Sequence, residues 1–508
     1  MKNDSALLTR PRIAAVLAFA ALSLAVYLVR ILSVWRFGDL FFPTAVEAPM
    51  IDSIWRCIHH LPVYEWPLQY PFHLSLYNYL FYNSYAALLR LIGARDAAIM
   101  TWGRQFTLLF ALAGALAQWW LVRSLLHLRR ARSYLSLALA LGLWLTTSLV
   151  KYWALCLRPD MAAAALVMIA LTVLVVQPRF AFASAGLLFY LAWAFKQSAV
   201  LAFAGVCLWL LLNKKWRRLS VLIAVFAVLV AATLLIGSPE YRFNILAAPQ
   251  IVKSFSFGLP WLLRSLSAGA AAVAVNIYWI AAPILLARAS TAQRPAESRV
   301  RMLLTVFAVA LVCGLAGMGK VGATSNYLFE AFAAGSTLLQ LLVFTVPGRL
   351  VTSLVLLGCI QPALQIAGSA IGYHAAGKRD RVTIATPAEY ADAAALRARL
   401  STMKKPIFST DEAFALPWIS AENGAPALVV DPNFHEAARS REQNGGIEGM
   451  LQRGEIPTVV LAASDLVYLK NLNPSYKKVG ESLQQGVTYS IYELEVMVKG
   501  EAPAKPIP

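Results

Sequence analysis

Ile13 to Trp35 is a predominantly apolar run of about the ~20 residues that ~30 Å of hydrocarbon demands. Further runs lie near 104–122, 134–150, 160–176, 180–195, 198–213, 219–237, 268–287, 302–318, 327–346 and 350–371, which makes about eleven spanning helices. The rest of the composition agrees: 59% of the 508 residues are hydrophobic and 14% charged, with a mean hydropathy of +0.61, far too apolar for a soluble surface. The chain therefore reads as a polytopic α-helical membrane protein. No small-residue cleavage site follows the first run, so it is a retained helix and not a signal peptide.

The net charge of +19 sits in short clusters between apolar runs, without interleaved aromatics. That pattern marks membrane orientation and excludes a nucleic-acid partner. One alternating set of loops holds Lys2, Arg10 and Arg12; Arg123, Arg129, Arg130 and Arg132; Arg179; Lys214, Lys215, Arg217 and Arg218; Arg288, Arg294, Arg299 and Arg301; and Arg349. This set, with the N-terminus, is expected to be cytoplasmic. The opposite set then faces outward and holds the polar residues that orientation does not explain: Cys156 to Asp160 (CLRPD), Phe195 to Gln197 (FKQ), Tyr241 to Arg264, and Gly319 to Glu330 (GKVGATSNYLFE). Ionisable groups at such depth are costly and mark a cavity or a substrate path.

Between Arg36 and Gly103 the chain is too polar and aromatic for two ordinary spans. Trp55, Tyr64, Trp66, Tyr70, Tyr77, Tyr79, Tyr82 and Tyr85 suit the water–lipid boundary, so this first outer loop is expected to hold interfacial helices. It also carries Glu47 and Asp52, five residues apart and so not squarely on one helical face; one reads as the working acid and the other as structural. His59 and His60 are adjacent and point about 100° apart on a helix, so they make no metal pair. The five cysteines show no CxxC spacing and predict neither a metal site nor a disulfide framework, a Cys57–Cys156 bridge being the one conceivable pairing.

After Ile371 charges become frequent. Pro457 to Ala463 (PTVVLAA) reads as a strand and Tyr390 to Leu400 as an amphipathic helix, giving a transmembrane domain over 1–372 and a soluble α/β domain with its tail over 373–508. An odd number of spans puts that domain outside.

Glu47 after the first run, the aromatic PFHLSLYNYL, GRQFTLLFALAGAL, RPD between two runs, KQ at an outward turn and GKVGATSNYLFE follow one another in a set order. From about Leu32 to Ile371 this order resembles the GT-C glycosyltransferases, and within them the bacterial relatives of protein mannosyltransferases and aminoarabinose transferases. Members commonly carry Asp-Glu or Glu in the first outer loop; here Glu47 stands alone, followed by Asp52.

The resemblance implies transfer of a sugar from a polyprenyl phosphate donor to a lipid, glycan or protein acceptor at the outer face of a bacterial inner membrane. Such a reaction needs a carboxylate to take the acceptor's proton and a cation to meet the departing phosphate. Glu47 is the expected base of an inverting displacement, with Asp52 as second candidate. Lys196 and Lys320, then Arg158, are expected to bind the donor phosphate. Asp160, Asn326, Tyr327, Glu330 and Tyr64 are expected to line the sugar pocket. No cofactor is called for, and the sequence leaves a divalent metal open. The competing readings are a transporter, against which stands the gathering of polar groups at one edge, and a non-catalytic scaffold for envelope assembly.

Overall fold

The computed structural model describes residues 9–43, 47–147, 149–150, 152–176, 180–251, 258–289, 297–320, 325–371, 383–411, 413–420, 427–429, 432–484 and 487–494. Among the described residues the α-helices come first: α1 (Arg10–Phe37), α2 (Ala48–Ile58), α3 (Tyr79–Leu91), α4 (Ala97–Leu126), α5 (Arg130–Thr146), α6 (Asp160–Val176), α7 (Ala181–Phe195), α8 (Leu201–Leu212) and α9 (Trp216–Ile236). The membrane part closes with Leu259–Val275 and Ile277–Arg288, then Glu297–Gly317, Phe329–Thr345 and Arg349–Ile371.

By length and hydropathy six helices among the described residues can cross a membrane, or seven if the bent pair at 259–288 is one span. Three of the expected spans, α6, α7 and α8, have 17, 15 and 12 residues. They stop short where the polar motifs begin: Asp160 opens α6, and Lys196 lies just beyond α7. The expected span at 268–287 also needs correction. Its helix starts at Leu259 and turns by 87° at Asn276. There the Asn276 side chain donates to Ala272 O (2.8 Å) and accepts from Trp279 Nε1 (3.0 Å), competing with the backbone ladder in the way that bends helices. In the first outer loop, α2 and α3 are short helices, α2 burying nearly all of its length.

Phe329–Thr345 is the central helix, buried along almost all of its length. Inside hydrocarbon, apolar burial does not sort helix from helix, so polar bonds and close packing must. Gln118 Nε2 on α4 donates to Gln340 Oε1 (2.9 Å) on the central helix, while Trp144 Nε1 and Ser336 Oγ both donate to Gln118 Oε1 (2.8 Å each). At the opposite end from the polar motifs, the guanidinium of Arg12 donates to Val343 O (3.0 Å), Val346 O (2.8 Å) and Gly348 O (2.9 Å), capping the carbonyls that the central helix leaves open.

The C-terminal part is α/β. A helix at Pro387–Ser401 begins with a capping box, Thr386 and Glu389 bonding each other's backbone amides. The strands β1 (Ile407–Ser409), β2 (Thr458–Ala462), β3 (Tyr476–Gln484) and β4 (Val487–Leu494) form one sheet in the order β1-β2-β4-β3. β1 and β2 run parallel and the other pairs antiparallel. The expected strand at Pro457–Ala463 is β2, fully buried at the sheet's centre. The expected boundary near 372 and the tail lie outside the described residues.

A buried histidine ties this part together. His435 Nδ1 faces Glu442 Oε1 at 2.7 Å and Nε2 faces Glu448 Oε2 at 3.1 Å, with Tyr468 stacked on the ring. Burial alone would lower the imidazole's pKa, but the two glutamates more than reverse this, and it is pushed up to about 9. The raised value means that the stabilisation is complete below the unfolded pKa of ~6.5, shrinks as pH rises from there, and is gone above about 9. The size is on the order of 3 kcal/mol. Thermal unfolding of the full chain should therefore show a C-terminal transition that falls between pH 6 and pH 9.5, and His435→Gln should flatten that fall.

Candidate active site

Asp160 is the centre of the polar end of the bundle. It opens α6 directly after Pro159, where a carboxylate favours the helix N-terminus. Its Oδ1 accepts from Lys196 Nζ at 2.5 Å and from Asn326 Nδ2 at 2.8 Å, and its Oδ2 from Arg158 Nε at 3.2 Å. Lys196 reaches it because α7 ends at Phe195 and the chain turns extended there, with φ −144°. Asn326 reaches it from the single helical turn that precedes the central helix.

Arg158 is held from two further sides. Its Nη2 donates to the Tyr77 hydroxyl at 2.6 Å, and its guanidinium lies over the Trp153 ring at 4.6 Å and the Tyr77 ring at 5.8 Å. The Lys196 ammonium lies 5.6 Å from the Tyr327 ring. Glu330 completes the group from the other side, accepting from the Ala202 amide at 2.6 Å and so capping the open N-terminus of α8. Most of these side chains face one small pocket of about 20 Å³, whose walls are Asp160, Lys196, Asn326, Tyr327, Phe329 and Glu330, with Ala163, Ala164 and Ala199.

Six of the ten expected site residues therefore meet: Asp160, Lys196, Asn326, Tyr327 and Glu330 line the pocket, and Arg158 backs it. The other four neither line nor back it. Glu47 is fully buried behind the same turn, its two oxygens taken by the fork of Arg104 (Nε to Oε1 3.0 Å, Nη2 to Oε2 3.0 Å), with Oε1 also accepting from the Leu157 amide (2.5 Å). Asp52 pairs with Arg56 (2.9 Å) and His73 Nδ1 (2.9 Å). Burial alone would raise its carboxyl, but Arg56 and His73 outweigh burial and hold it below the usual carboxylate range, which makes it a weak base. Tyr64 is structural in geometry: its hydroxyl donates to Tyr77 O (2.8 Å) and its ring meets Tyr241 edge-on. Lys320 lies just past the Glu297–Gly317 helix, its amide bonded to Gly317 O, and the residues 321–324 that follow lie outside the described ones.

Arg104, Tyr77 and His73 are the partners that the sequence reading passed over. An arginine inside the run at 104–122 was the available signal, since a charge at that depth needs a partner. His59 stacks on Trp55 at 4.4 Å, and both Cys57 and Cys156 are free thiols. Among the described residues the one cluster with metal-ligating groups is His435, Glu442 and Glu448. Its glutamates sit on opposite ring nitrogens of one imidazole, whose lone pairs diverge, so it suits a bridging imidazolium better than a chelate.

No family model and no curated protein matches the chain. Solved structures do. ArnT from Cupriavidus metallidurans bound to undecaprenyl phosphate superposes with a TM-score of 0.60 at 14% identity, over 96% of this chain and 99% of that one. The apo form of the same protein gives 0.59 at 14% identity over 95% and 98%. The apo oligosaccharyltransferase of Archaeoglobus fulgidus gives 0.50 at 12% identity over 95% and 74%. The chain is thus similar in fold to these transferases, and the expected resemblance holds at the level of fold.

Removing one member of a fully buried ion pair leaves the other charge uncompensated and costs ~3–5 kcal/mol. Arg104→Ala should accordingly lower the melting temperature of the purified chain well below wild type. Adding Glu47→Gln should restore part of that loss, as a thermal shift series on the two single variants and the double would show.

Proposed function

We propose that this chain transfers a sugar from a polyprenyl phosphate donor to an acceptor hydroxyl, at the outer face of a bacterial inner membrane. The observation that carries the reading is the pairing of Lys196 and Arg158 on one carboxylate, at the pocket and at the truncated ends of α6 and α7. Two buried cations sharing a single anion form a receptor for a second anion. Support also comes from the likeness in fold to a protein solved with undecaprenyl phosphate bound.

In this reading Lys196 and Arg158 meet the donor phosphate and stabilise the charge it gains as it leaves. Turning toward the phosphate, they release Asp160, which then takes the proton of the acceptor hydroxyl. The acceptor oxygen forms its bond to the anomeric carbon from the face opposite the breaking carbon–oxygen bond, so the configuration inverts, and the polyprenyl phosphate departs with the bonding pair. Asp160 is preferred to Glu47 as base because it lines the pocket, whereas Glu47 is locked to Arg104 behind the turn. Glu47 then fixes the turn through the Leu157 amide. Asn326, Tyr327 and Glu330 face the sugar. The N-terminus is cytoplasmic and the C-terminal domain periplasmic, and the acceptor is a lipid, glycan or protein. A scaffold has no use for two buried cations converging on a carboxylate at a pocket wall, and the gathering of polar groups at one edge speaks against a transporter.

Proteoliposomes given a radiolabelled panel of polyprenyl phosphate sugars test this. Wild type should consume one donor, Asp160→Asn should lose at least ~10²-fold in kcat, and Lys196→Ala should raise the donor KM. If Asp160→Asn keeps turnover and Glu47→Gln alone loses it, the base is Glu47. If wild type consumes no donor, the transferase reading falls.

A further inference from the structure

Residues 72–78 of the first outer loop run as one strap between the C-terminal domain and the pocket. At one end the Phe72 ring is buried inside the C-terminal domain's own core, in one cluster with Phe408, Ile447, Leu451, Val459 and Leu461. Its φ of 60° lies in the left-handed region, where a Cβ crowds the backbone. For a phenylalanine that conformation persists only when the surroundings over-determine it. Here the seat in the neighbouring domain does so. Leu74, two residues on, packs with Phe434 and Ala438 of the same domain, and the Gln443 amide donates to Leu68 O at 2.8 Å.

The other end of the strap enters the bundle. The Ser75 amide donates to Asn244 Oδ1 at 3.0 Å, and Leu76 O accepts from Gln197 Nε2 at 2.7 Å. Tyr77 accepts from Arg158 at 2.6 Å, and Asn78 Nδ2 donates to Trp193 O at 2.5 Å. Gln197 is the residue after Lys196, and Trp193 is on the last turn of α7, which delivers it. Both pocket cations are thus fixed by the strap, Arg158 through the Tyr77 hydroxyl and Lys196 through its neighbour. Five residues cover at most ~17 Å when fully extended, so the link has little slack to absorb a shift of either end.

We propose that Phe72 is a positioning residue for the donor site: by seating this ring, the C-terminal domain sets Tyr77 and Gln197, and through them Arg158 and Lys196, in the arrangement that takes a phosphate. The domain is then part of the donor site, whatever else it binds. The phosphate role of the two cations rests on the function proposed above; the mechanical link does not.

The experiment uses the full chain in lipid nanodiscs, with Phe72→Ala, Tyr77→Phe and the double variant. Amide hydrogen exchange without ligand is read at 157–160 and 193–202, and binding of undecaprenyl phosphate alone is titrated. Phe72→Ala should speed exchange in 193–202, across the domain boundary, and weaken the lipid phosphate about tenfold. Tyr77→Phe should weaken it too, and the double variant should bind no worse than the weaker single, because the two changes break one chain of contacts. Phe72→Leu keeps an apolar side chain in the seat and should show the same effects at smaller size, which covers the case of Phe72→Ala failing to fold. Faster exchange confined to 407–494, or weakenings that multiply in the double variant, would overturn the proposal. If no variant and no wild-type sample binds undecaprenyl phosphate while the exchange change at 193–202 remains, the link stands and the donor reading falls.

Discussion

A carboxylate out of reach of water must find its donors inside the protein or cost several kcal/mol, and Asp160 is such a carboxylate. Its donors come from the turn before its own helix, from the end of α7 and from the turn before the central helix. Satisfying one charge therefore fixes where three helices begin or end. That is why α6 and α7 fall short of full crossing length. Broken or short helices are tolerated at membrane depth where their open ends face protein or a cavity instead of lipid. Glu330 does the same service for α8.

The polar bonds of the bundle divide by position. Midway along, neutral amides and hydroxyls join α4, α5 and the central helix, where an ion would be most expensive. Bonds of this kind contribute modestly, ~0.6 kcal/mol on average, and act mainly to fix which helix faces which. Among the described residues the buried ion pairs gather toward one end, while Arg30 inside α1 donates to the neutral Gln365 Oε1 at 2.7 Å. Arg12 caps backbone carbonyls at one end, and the ion pairs of Glu47, Asp52 and Asp160 stand at the other. Two of these pairs differ in what they leave available. Glu47 and Arg104 close on each other through a two-pronged contact, whereas Asp160 is shared by two cations at a pocket wall.

Where the apolar helices lie was legible, because lipid demands long apolar runs and the runs are plain in the sequence. Which of them cross was not, since that depends on how deep the RPD and KQ turns sink. The bend at Asn276 was hidden, as one side chain inside an apolar run decides it. In the site, the gathering of Arg158, Asp160, Lys196, Asn326, Tyr327 and Glu330 followed from sidedness, which sequence carries through its basic loops. The partners of the two loop acids did not follow. Asp52 and Arg56 stand at i and i+4, a spacing that fits a pair but does not say which of the two acids Arg56 takes. Glu47 meets Arg104, 57 residues away, which only the packing of α2 against α4 brings near. Tyr77 read as an interfacial aromatic for the same reason: an amphipathic ring suits a membrane surface and a guanidinium cage equally well.

At rest Lys196 and Arg158 both bond Asp160, one carboxylate between two cations, and in the proposed function this shapes what a phosphate ligand must do. An incoming anion gains Lys196 and Arg158 only by taking them from Asp160, so binding is an exchange of partners and not the filling of bare charges. Such an exchange is weak in itself, because the attraction gained offsets an attraction lost. In that proposal it leaves behind, however, a carboxylate whose cations have turned away and which can accept a proton. A ligand carrying the anion thus creates the proton acceptor at the moment it is needed and not earlier. The geometry of the exchange depends on where Arg158 and Lys196 stand, and their positions are tied, five residues along the strap, to a ring seated in the other domain.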